Sequence, residues 1–180
     1  ATTTATLTIT VSGSNDAPVA RDDTGTVKED ATLTVSDGDN ANAVSAATYV
    51  DGFSISNEEF APQGFRFNND GTKMFVIGSN GDDVNEYTLS TAFDVSTASF
   101  VDSFDISSQE LGPRDVAFSN DGLKMFVVGV RGDDVNEYTL STAFDVSTAS
   151  FVDSFDISSQ EDSPTGLAFN NDGTKMFVAG

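Results

Sequence analysis

The 180-residue sequence contains no cysteine and no histidine. Their absence excludes disulfides, thiol nucleophiles, Cys/His zinc sites and a Ser-His-Asp triad from the residues present. No stretch is long and apolar enough to span a bilayer, so direct membrane insertion is not expected. The chain begins at Ala1 and ends just after an apolar run, Met176–Val178, which is typical of a strand. We therefore interpret it as an internal piece of a longer protein.

Basic residues are scarce. Eight Lys and Arg stand against 29 Asp and Glu, which gives a formal net charge of −21. A surface this acidic repels phosphate backbones and anionic lipid, so nucleic acid and membrane surfaces are poor partners. It suits divalent cations and basic ligands instead.

An internal repeat of 51 residues organises most of the chain. The thirty residues from Gly81 to Glu110 recur without change from Gly132 to Glu161, and Pro62, Pro113 and Pro164 keep the same spacing. The repeat defines units 62–112, 113–163 and 164–180, preceded by the tail of another unit at 44–61. A fixed period of this length predicts an array of identical supersecondary units.

The first half of each unit predicts two strands joined by a hairpin. In the second unit, RDVAFS places Val116 and Phe118 on one face by period 2. The following KMFVVG is apolar on both faces, as in a strand buried from both sides. Asp121-Gly122 lies between them and predicts a type I′ turn.

The second half of each unit predicts two further strands. DVNEYTLS places Tyr138 and Leu140 on one face, and SFVDSFDIS places Phe151, Phe155 and Ile157 on one face. No segment has sustained helical spacing. Four antiparallel strands per unit of about 40–50 residues are the signature of a β-propeller blade.

The segment PTGLAFNNDGTKMFVAG at 164–180 resembles the first two strands of YVTN/NHL-like propeller blades. The resemblance extends over about 44–180 and implies blades that open with Pro, an apolar strand, a DG hairpin and a Lys-aromatic strand. We therefore predict an all-β fold, an incomplete β-propeller over 43–180. Residues 44–61 have the sequence of an outer, fourth strand, which predicts that they complete the last blade of a ring built with further blades of the same chain.

The N-terminal segment does not share the repeat. TITVSGSNDAPVARDD resembles the junction between VCBS and cadherin-like domains of large bacterial surface proteins, over about 4–36. The resemblance implies that residues 1–14 are the last strand of an upstream Ig-like domain. Residues 15–42 are then an acidic linker or a truncated cadherin-like segment.

Two acidic clusters are candidate Ca²⁺ sites, because Ca²⁺ prefers hard oxygen ligands. The junction supplies Asn15, Asp16, Asp22 and Asp23, with Glu29 and Asp30 nearby, and the alternative is a solvated linker whose Asn and Asp residues form turns. The loops of successive blades supply Asp82, Asp83, Asp133 and Asp134, which could ring one face of the propeller. For these four we favour the alternative that Asp starts the third strand after a glycine turn.

Lys73, Lys124 and Lys175 recur at one position of each unit, just after the hairpin. A lysine at a sheet edge discourages pairing with another chain. We predict this role for the three lysines rather than an anion-binding ring.

The leading functional prediction is a non-catalytic repeat module of a large secreted or cell-surface bacterial protein. It would act in adhesion or as a scaffold that binds a surface glycan or protein, and the chain would not be an enzyme. Its support is the resemblance to a VCBS/cadherin-like junction, the acidity of the chain, and blades that are copied without catalytic differentiation. The alternative is a fragment of a lactonase-, phytase- or glycan-hydrolase-like propeller enzyme whose active residues lie outside this chain. In either case, binding specificity is expected where the units differ, in Leu111–Ser119 against Asp162–Asn170.

Overall fold

A computed structural model describes residues 47–180, which form strands and two short 3₁₀ helices. The first four strands are β1 (Pro62–Phe67), β2 (Lys73–Gly78), β3 (Asp83–Leu89) and β4 (Ala98–Asp105). The next four are β5 (Pro113–Phe118), β6 (Lys124–Gly129), β7 (Asp134–Leu140) and β8 (Ala149–Asp156). The last two are β9 (Gly166–Phe169) and β10 (Met176–Ala179). The 3₁₀ helices η1 (Val95–Thr97) and η2 (Val146–Thr148) precede β4 and β8.

The strands form three antiparallel sheets in chain order. β1 to β4 make the first four-stranded sheet, β5 to β8 the second, and β9 and β10 a two-stranded sheet. We call them blade 1, blade 2 and blade 3. The predicted four-stranded units of an incomplete β-propeller are confirmed. Within 47–180 no helix has the length and hydropathy of a membrane span.

The blades fan out from their first strands. β1 contacts β5 and β5 contacts β9, so the first strands converge on a common axis. A buried cluster joins blades 1 and 2, and its members include Phe75, Ile77, Val84, Val116, Met125, Val127 and Tyr138. Full burial of such side chains contributes about 1.5–3 kcal/mol each. The alternate residues of β6, such as Val128, pack toward blade 3 with Leu167, which confirms that the second strand is buried on both faces.

A β-bulge in the fourth strand corrects one face assignment. Tyr138 pairs with Phe151 and Glu137 pairs with Asp153, so Val152 is an extra residue between them. Because one extra residue reverses the side-chain alternation, Phe151 lies beside Tyr138 while Phe155 pairs with Val135 on the other face. The prediction that Phe151 shares a face with Phe155 and Ile157 is therefore wrong.

The hairpin between the first two strands is not the predicted type I′ turn. The amide of Gly122 donates to the carbonyl of Ser119 at 2.8 Å, and Gly122 has φ of 70°. Asp121 keeps a negative φ, whereas type I′ requires positive φ at both central residues. Instead the carboxylate of Asp121 accepts from the backbone amide of Leu123 and from the hydroxyl of Ser119. These local bonds account for the NDG carboxylate without a ligand.

No strand forms over residues 47–61, where the sequence predicts part of an outer strand. The segment nevertheless makes the contact that the repeat predicts for it. Phe53 packs edge-on against Tyr87 with ring centroids 5.9 Å apart. The corresponding pair one unit later, Phe104 and Tyr138, has a distance of 5.6 Å. A fourth strand pairs with the third strand of its own blade, and no such third strand precedes residue 62 within the described residues.

Lys73 joins two blades rather than guarding a sheet edge. Its Nζ lies 2.6 Å from Oε1 of Glu86 and donates to the carbonyl of Phe144 in the next blade at 2.7 Å. The second oxygen of Glu86 accepts from the amide of Val146 at 2.9 Å. Lys73 thus binds a carbonyl and Glu86 binds an amide of the turn that leads into η2.

The same ion pair recurs in blade 2, where Lys124 Nζ lies 2.6 Å from Glu137 Oε1. Here the two side chains are 50% and 29% exposed, against 25% and 2% for Lys73 and Glu86. Within the described residues no turn of a following blade covers this second pair.

Candidate functional site

The first strands of the blades carry the largest differences between units. They read PQGFRF, PRDVAF and PTGLAF, and they agree only at the opening proline and the closing phenylalanine. The third and fourth strands, by contrast, are identical in blades 1 and 2. Chemical differentiation is therefore concentrated at the axis, where the first strands converge.

Asp115 on β5 connects all three blades. Its Oδ2 lies 2.6 Å from Nη2 of Arg66 on β1 and accepts from the backbone amide of Leu167 on β9 at 2.9 Å. Its Oδ1 accepts from the amide of Val116 at 2.9 Å. Asp115 is buried, with 7% exposure. A buried carboxylate with three donors is favourable only because each hydrogen bond offsets part of its desolvation.

The space for this carboxylate depends on a glycine. A Cβ at Gly64 would lie 2.9 Å from the carbonyl of Arg114 and 3.0 Å from Oδ1 of Asp115. At Gly166, the equivalent position of blade 3, the nearest atom to a Cβ is the Cβ of Ala179 at 3.9 Å. Blade 1 therefore requires glycine where blade 2 has aspartate.

A cavity of about 540 Å³ opens at the end of the axis where the first strands begin. Its lining residues are Gln63, Arg114, Val130, Ser163 and Thr165. Gln63, Arg114 and Thr165 occupy one position of the repeat and differ in every blade. The Nε of Arg114 is buried and has no hydrogen-bond partner within residues 47–180.

Buried glutamates support the loops beside this cavity. The two oxygens of Glu110 accept from the amides of Arg131 and Gly132 at 3.0 and 3.1 Å. Its side chain lies against Gly129, where a Cβ would come within 2.5 Å of the Glu110 Cδ. Burial is the main cause that raises the pKa of Glu110 above its ordinary value, and the two backbone hydrogen bonds oppose it. This glutamate fixes the loop between the second and third strands of the blade.

The opposite end of the axis is crossed by an asparagine ladder. Nδ2 of Asn69 donates to the carbonyl of Asn120 at 2.6 Å, and Nδ2 of Asn120 donates to the carbonyl of Asn171 at 2.5 Å. The ladder ties the hairpins of successive blades together beside a smaller cavity of about 270 Å³. We take the cavity at the Arg114 end as the candidate for a ligand, because its lining differs in every blade.

The four predicted loop ligands lie around the start of the third strands. Asp82 accepts from the amide of Gly112 at 3.1 Å, Asp83 from the side chain of Asn85 at 2.8 Å, and Asp134 from Asn136 at 2.7 Å. Oδ1 of Asp133 is buried without a partner in the described residues.

Asp83 and Asp134 thus each accept from an asparagine two residues further along the same strand. Burial raises the pKa of Asp83, while its bond from Asn85 opposes that rise. Over residues 47–180 no three acidic side chains are grouped as a metal site would require. Asn15, Asp16, Asp22 and Asp23 lie outside the described residues, so calcium at the junction stays a prediction.

The sequence indicated the region of the site but not its residues. Arg114 and Asp115 fall within Leu111–Ser119, where specificity was expected. Arg66 was missed, although its departure from Ala117 and Ala168 at the same repeat position is a signal in the sequence.

No family model matches the sequence, and a search of curated proteins found no match. Among solved structures, one similar protein is from Bacteroides uniformis and is assigned as a 6-phosphogluconolactonase. The TM-score is 0.52 and the sequence identity is 13%, and the match covers 65% of this chain and 33% of that chain. A protein of the same assignment from Bacteroides fragilis has a TM-score of 0.52 and 18% identity over 66% and 31%. The periplasmic gluconolactonase of Pseudomonas aeruginosa has a TM-score of 0.50 and 16% identity over 66% and 32%.

The chain thus spans about a third of the length of these proteins. At such identities the likeness concerns the fold, and it agrees with the β-propeller described above. The prediction of an adhesion or scaffold module is corrected, because these three similar structures are lactonase-type propellers and none of them supports adhesion. That prediction relied in part on uniform blades, whereas the first strands differ in every blade.

Proposed function

We propose that this chain supplies blades to a lactonase-like propeller enzyme whose catalytic residues lie on blades outside this sequence. Further blades of the same protein would complete the ring. In this proposal the chain contributes one wall of the ligand site, at the end of the axis marked by Arg114 and Asp115.

One observation carries the proposal. The blades differ from one another at the axial strand, where Gln63, Arg114 and Thr165 line the same cavity, and are identical at the periphery. An enzyme needs different groups in defined positions around one ligand, and first strands that differ from blade to blade supply such groups. The choice of reaction rests on the likeness of the fold to lactonase-type propellers. Because fold alone does not specify chemistry, the reaction itself has to be tested.

The experiment uses these blades within the complete ring. Hydrolysis of D-glucono-1,5-lactone releases a proton with the acid, so a pH indicator follows the rate. A variant in which β5 is changed from PRDVAF to PTGLAF removes Arg114 and Asp115 while keeping a blade sequence that the chain already uses. We expect catalysis above the spontaneous rate, with kcat/KM about a hundredfold lower in the variant, which corresponds to about 2.7 kcal/mol.

Leu123→Thr is the matched control, because the other two units have Thr72 and Thr174 at this exposed position. It should leave the rate unchanged. The proposal fails if the complete ring does not accelerate hydrolysis of gluconolactone or related aldonolactones, or if the β5 variant is as active as the control.

Other assignments stay predictions. The YVTN/NHL-like and VCBS/cadherin-like relationships rest on the sequences at 164–180 and 4–36. The secreted or cell-surface location rests on the second of these. Bound calcium would raise the melting temperature by mass action, so a calcium titration tests the junction.

A further inference from the structure

We infer that Arg114 binds the carboxylate of a sugar acid in the cavity at the axial end. This inference deepens the function proposed above and rests on it for the class of ligand, because hydrolysis of an aldonolactone yields an aldonate.

The first argument is the state of Arg114. The ion pairs within residues 47–180 are Arg66–Asp115, Lys73–Glu86 and Lys124–Glu137, each with a nitrogen-oxygen distance of 2.6 Å. Arg114 has no carboxylate partner in this part of the chain, although the protein has 29 acidic residues. Its buried Nε has no hydrogen-bond partner there either. No other hydrogen bond of the Arg114 side chain is formed within these residues, so the guanidinium of this cavity-lining residue is available to an acceptor from outside the chain.

The second argument is the rest of the lining. Arg114 is the only charged residue among the five that line the cavity, and Gln63, Ser163 and Thr165 add an amide and two hydroxyls. A guanidinium binds a planar carboxylate through two parallel hydrogen bonds. Amides and hydroxyls donate and accept at once, as the hydroxyls of a sugar do. The lining therefore matches a molecule with one carboxylate and several hydroxyls.

The third argument concerns size and position. The cavity volume of about 540 Å³ lies in the roughly 300–1,000 Å³ range of small-molecule sites. Three blades border the site: Gln63 lies on β1 and Arg114 on β5, while Thr165 directly precedes β9. A ligand there would contact all three.

The test measures binding of sodium D-gluconate to the full 180-residue chain by isothermal titration calorimetry. D-glucitol has the same hydroxylated carbon chain without the carboxylate, and inorganic phosphate is an anion without the hydroxyls. We expect glucitol and phosphate each to bind about tenfold more weakly than gluconate. Arg114→Gln should weaken gluconate about tenfold as well.

Lys175→Gln is the matched control, because it also removes one positive charge from an exposed position outside the cavity. Its gluconate affinity should equal that of the parent chain. Equal loss in both variants would indicate only long-range charge and would overturn the inference, as would equal binding of gluconate and glucitol or tighter binding of phosphate. Gluconate binding through Arg114 without lactone hydrolysis by the complete ring would overturn the proposed enzyme and leave this site standing.

Discussion

Asp115 shows how one substitution in a repeated blade can create a contact between three blades. The equivalent residues of the other units are Gly64 and Gly166, so the carboxylate occupies space that glycine leaves open. Local sequence signalled that position 115 differs, but its partners Arg66 and Leu167 are brought together only by the stacking of blades. Pairing of this kind cannot be derived from one unit, because each partner belongs to another.

Glu110 leads to a prediction about pH. Its pKa is raised above the ordinary value of 4.5, mainly by burial, so the folded state holds the proton at a pH where the unfolded state has lost it. The contribution of Glu110 to the free energy of unfolding is then fully present below about pH 4.5. It is lost as pH rises through the folded pKa. We expect Glu110→Gln to remove this fall, measured as melting temperature against pH.

Asp105→Asn provides a control of opposite sign. Hydrogen bonds from Ser107 lower the pKa of Asp105 below its ordinary value of 3.8. Its stabilisation is therefore present above that value and lost as pH falls. If the two variants shift the pH profile in the same direction, the account of Glu110 is incorrect.

At the level of strands and turns, the sequence predicted the positions of the strands better than it predicted the bulge and the turn type. The predicted runs 114–119 and 134–141 correspond to β5 and β7 within one residue at each end, because period 2 and turn residues are local signals. The bulge at Val152 was not predicted, since an extra residue is visible only in the register with the neighbouring strand. The turn type was missed because Asp121 bonds to Leu123 and Ser119 instead of adopting positive φ.

Two hairpin glycines allow the cost of backbone strain to be measured separately from the cost of steric overlap. Gly122 and Gly173 have φ of 70° and 69°, but a Cβ at Gly122 would overlap the ring of Phe144, whereas a Cβ at Gly173 meets nothing within 4 Å. Gly173→Ala should cost about 1 kcal/mol from the left-handed conformation alone. Gly122→Ala should cost about 1–3 kcal/mol more from overpacking. Denaturant unfolding measures both, and equal losses would contradict the role of Phe144.

At the scale of the whole stack of blades, over residues 47–180, the two ends expose apolar faces. Phe65 and Phe93 are 57% and 59% exposed on blade 1, and Phe155 and Phe177 are 62% and 55% exposed at the other end. Between blades 1 and 2 the corresponding residues Phe144 and Phe104 pack against the shared core. The interior interface therefore shows what such a face fits, namely another blade of the same repeat.

A peptide of residues 132–163 should accordingly bind the chain in trans. It carries the third and fourth strands of the repeat, and β10 pairs only with β9, whereas β2 and β6 each pair on both sides. Its turn at 144–146 should dock on Lys124 and Glu137 as the same turn docks on Lys73 and Glu86.

Fluorescence anisotropy of the labelled peptide measures this association. Val146→Pro in the peptide removes the amide that the glutamate would accept from, and Lys124→Met in the chain removes the lysine. Each should weaken binding about tenfold, as loss of a hydrogen bond to a charged group predicts. The match between the open face and the repeat is refuted if the peptide does not bind, or if both changes have no effect.

The thirty identical residues at 81–110 and 132–161 also have a genetic consequence. A crossover between the two copies would delete one 51-residue unit and join β1 and β2 directly to a third and fourth strand of identical sequence. Every surviving strand would keep a partner, but β5 would be lost, and with it Arg114 and Asp115. Unequal recombination could thus shorten the stack by one intact blade and remove the differentiated axial residues in a single step.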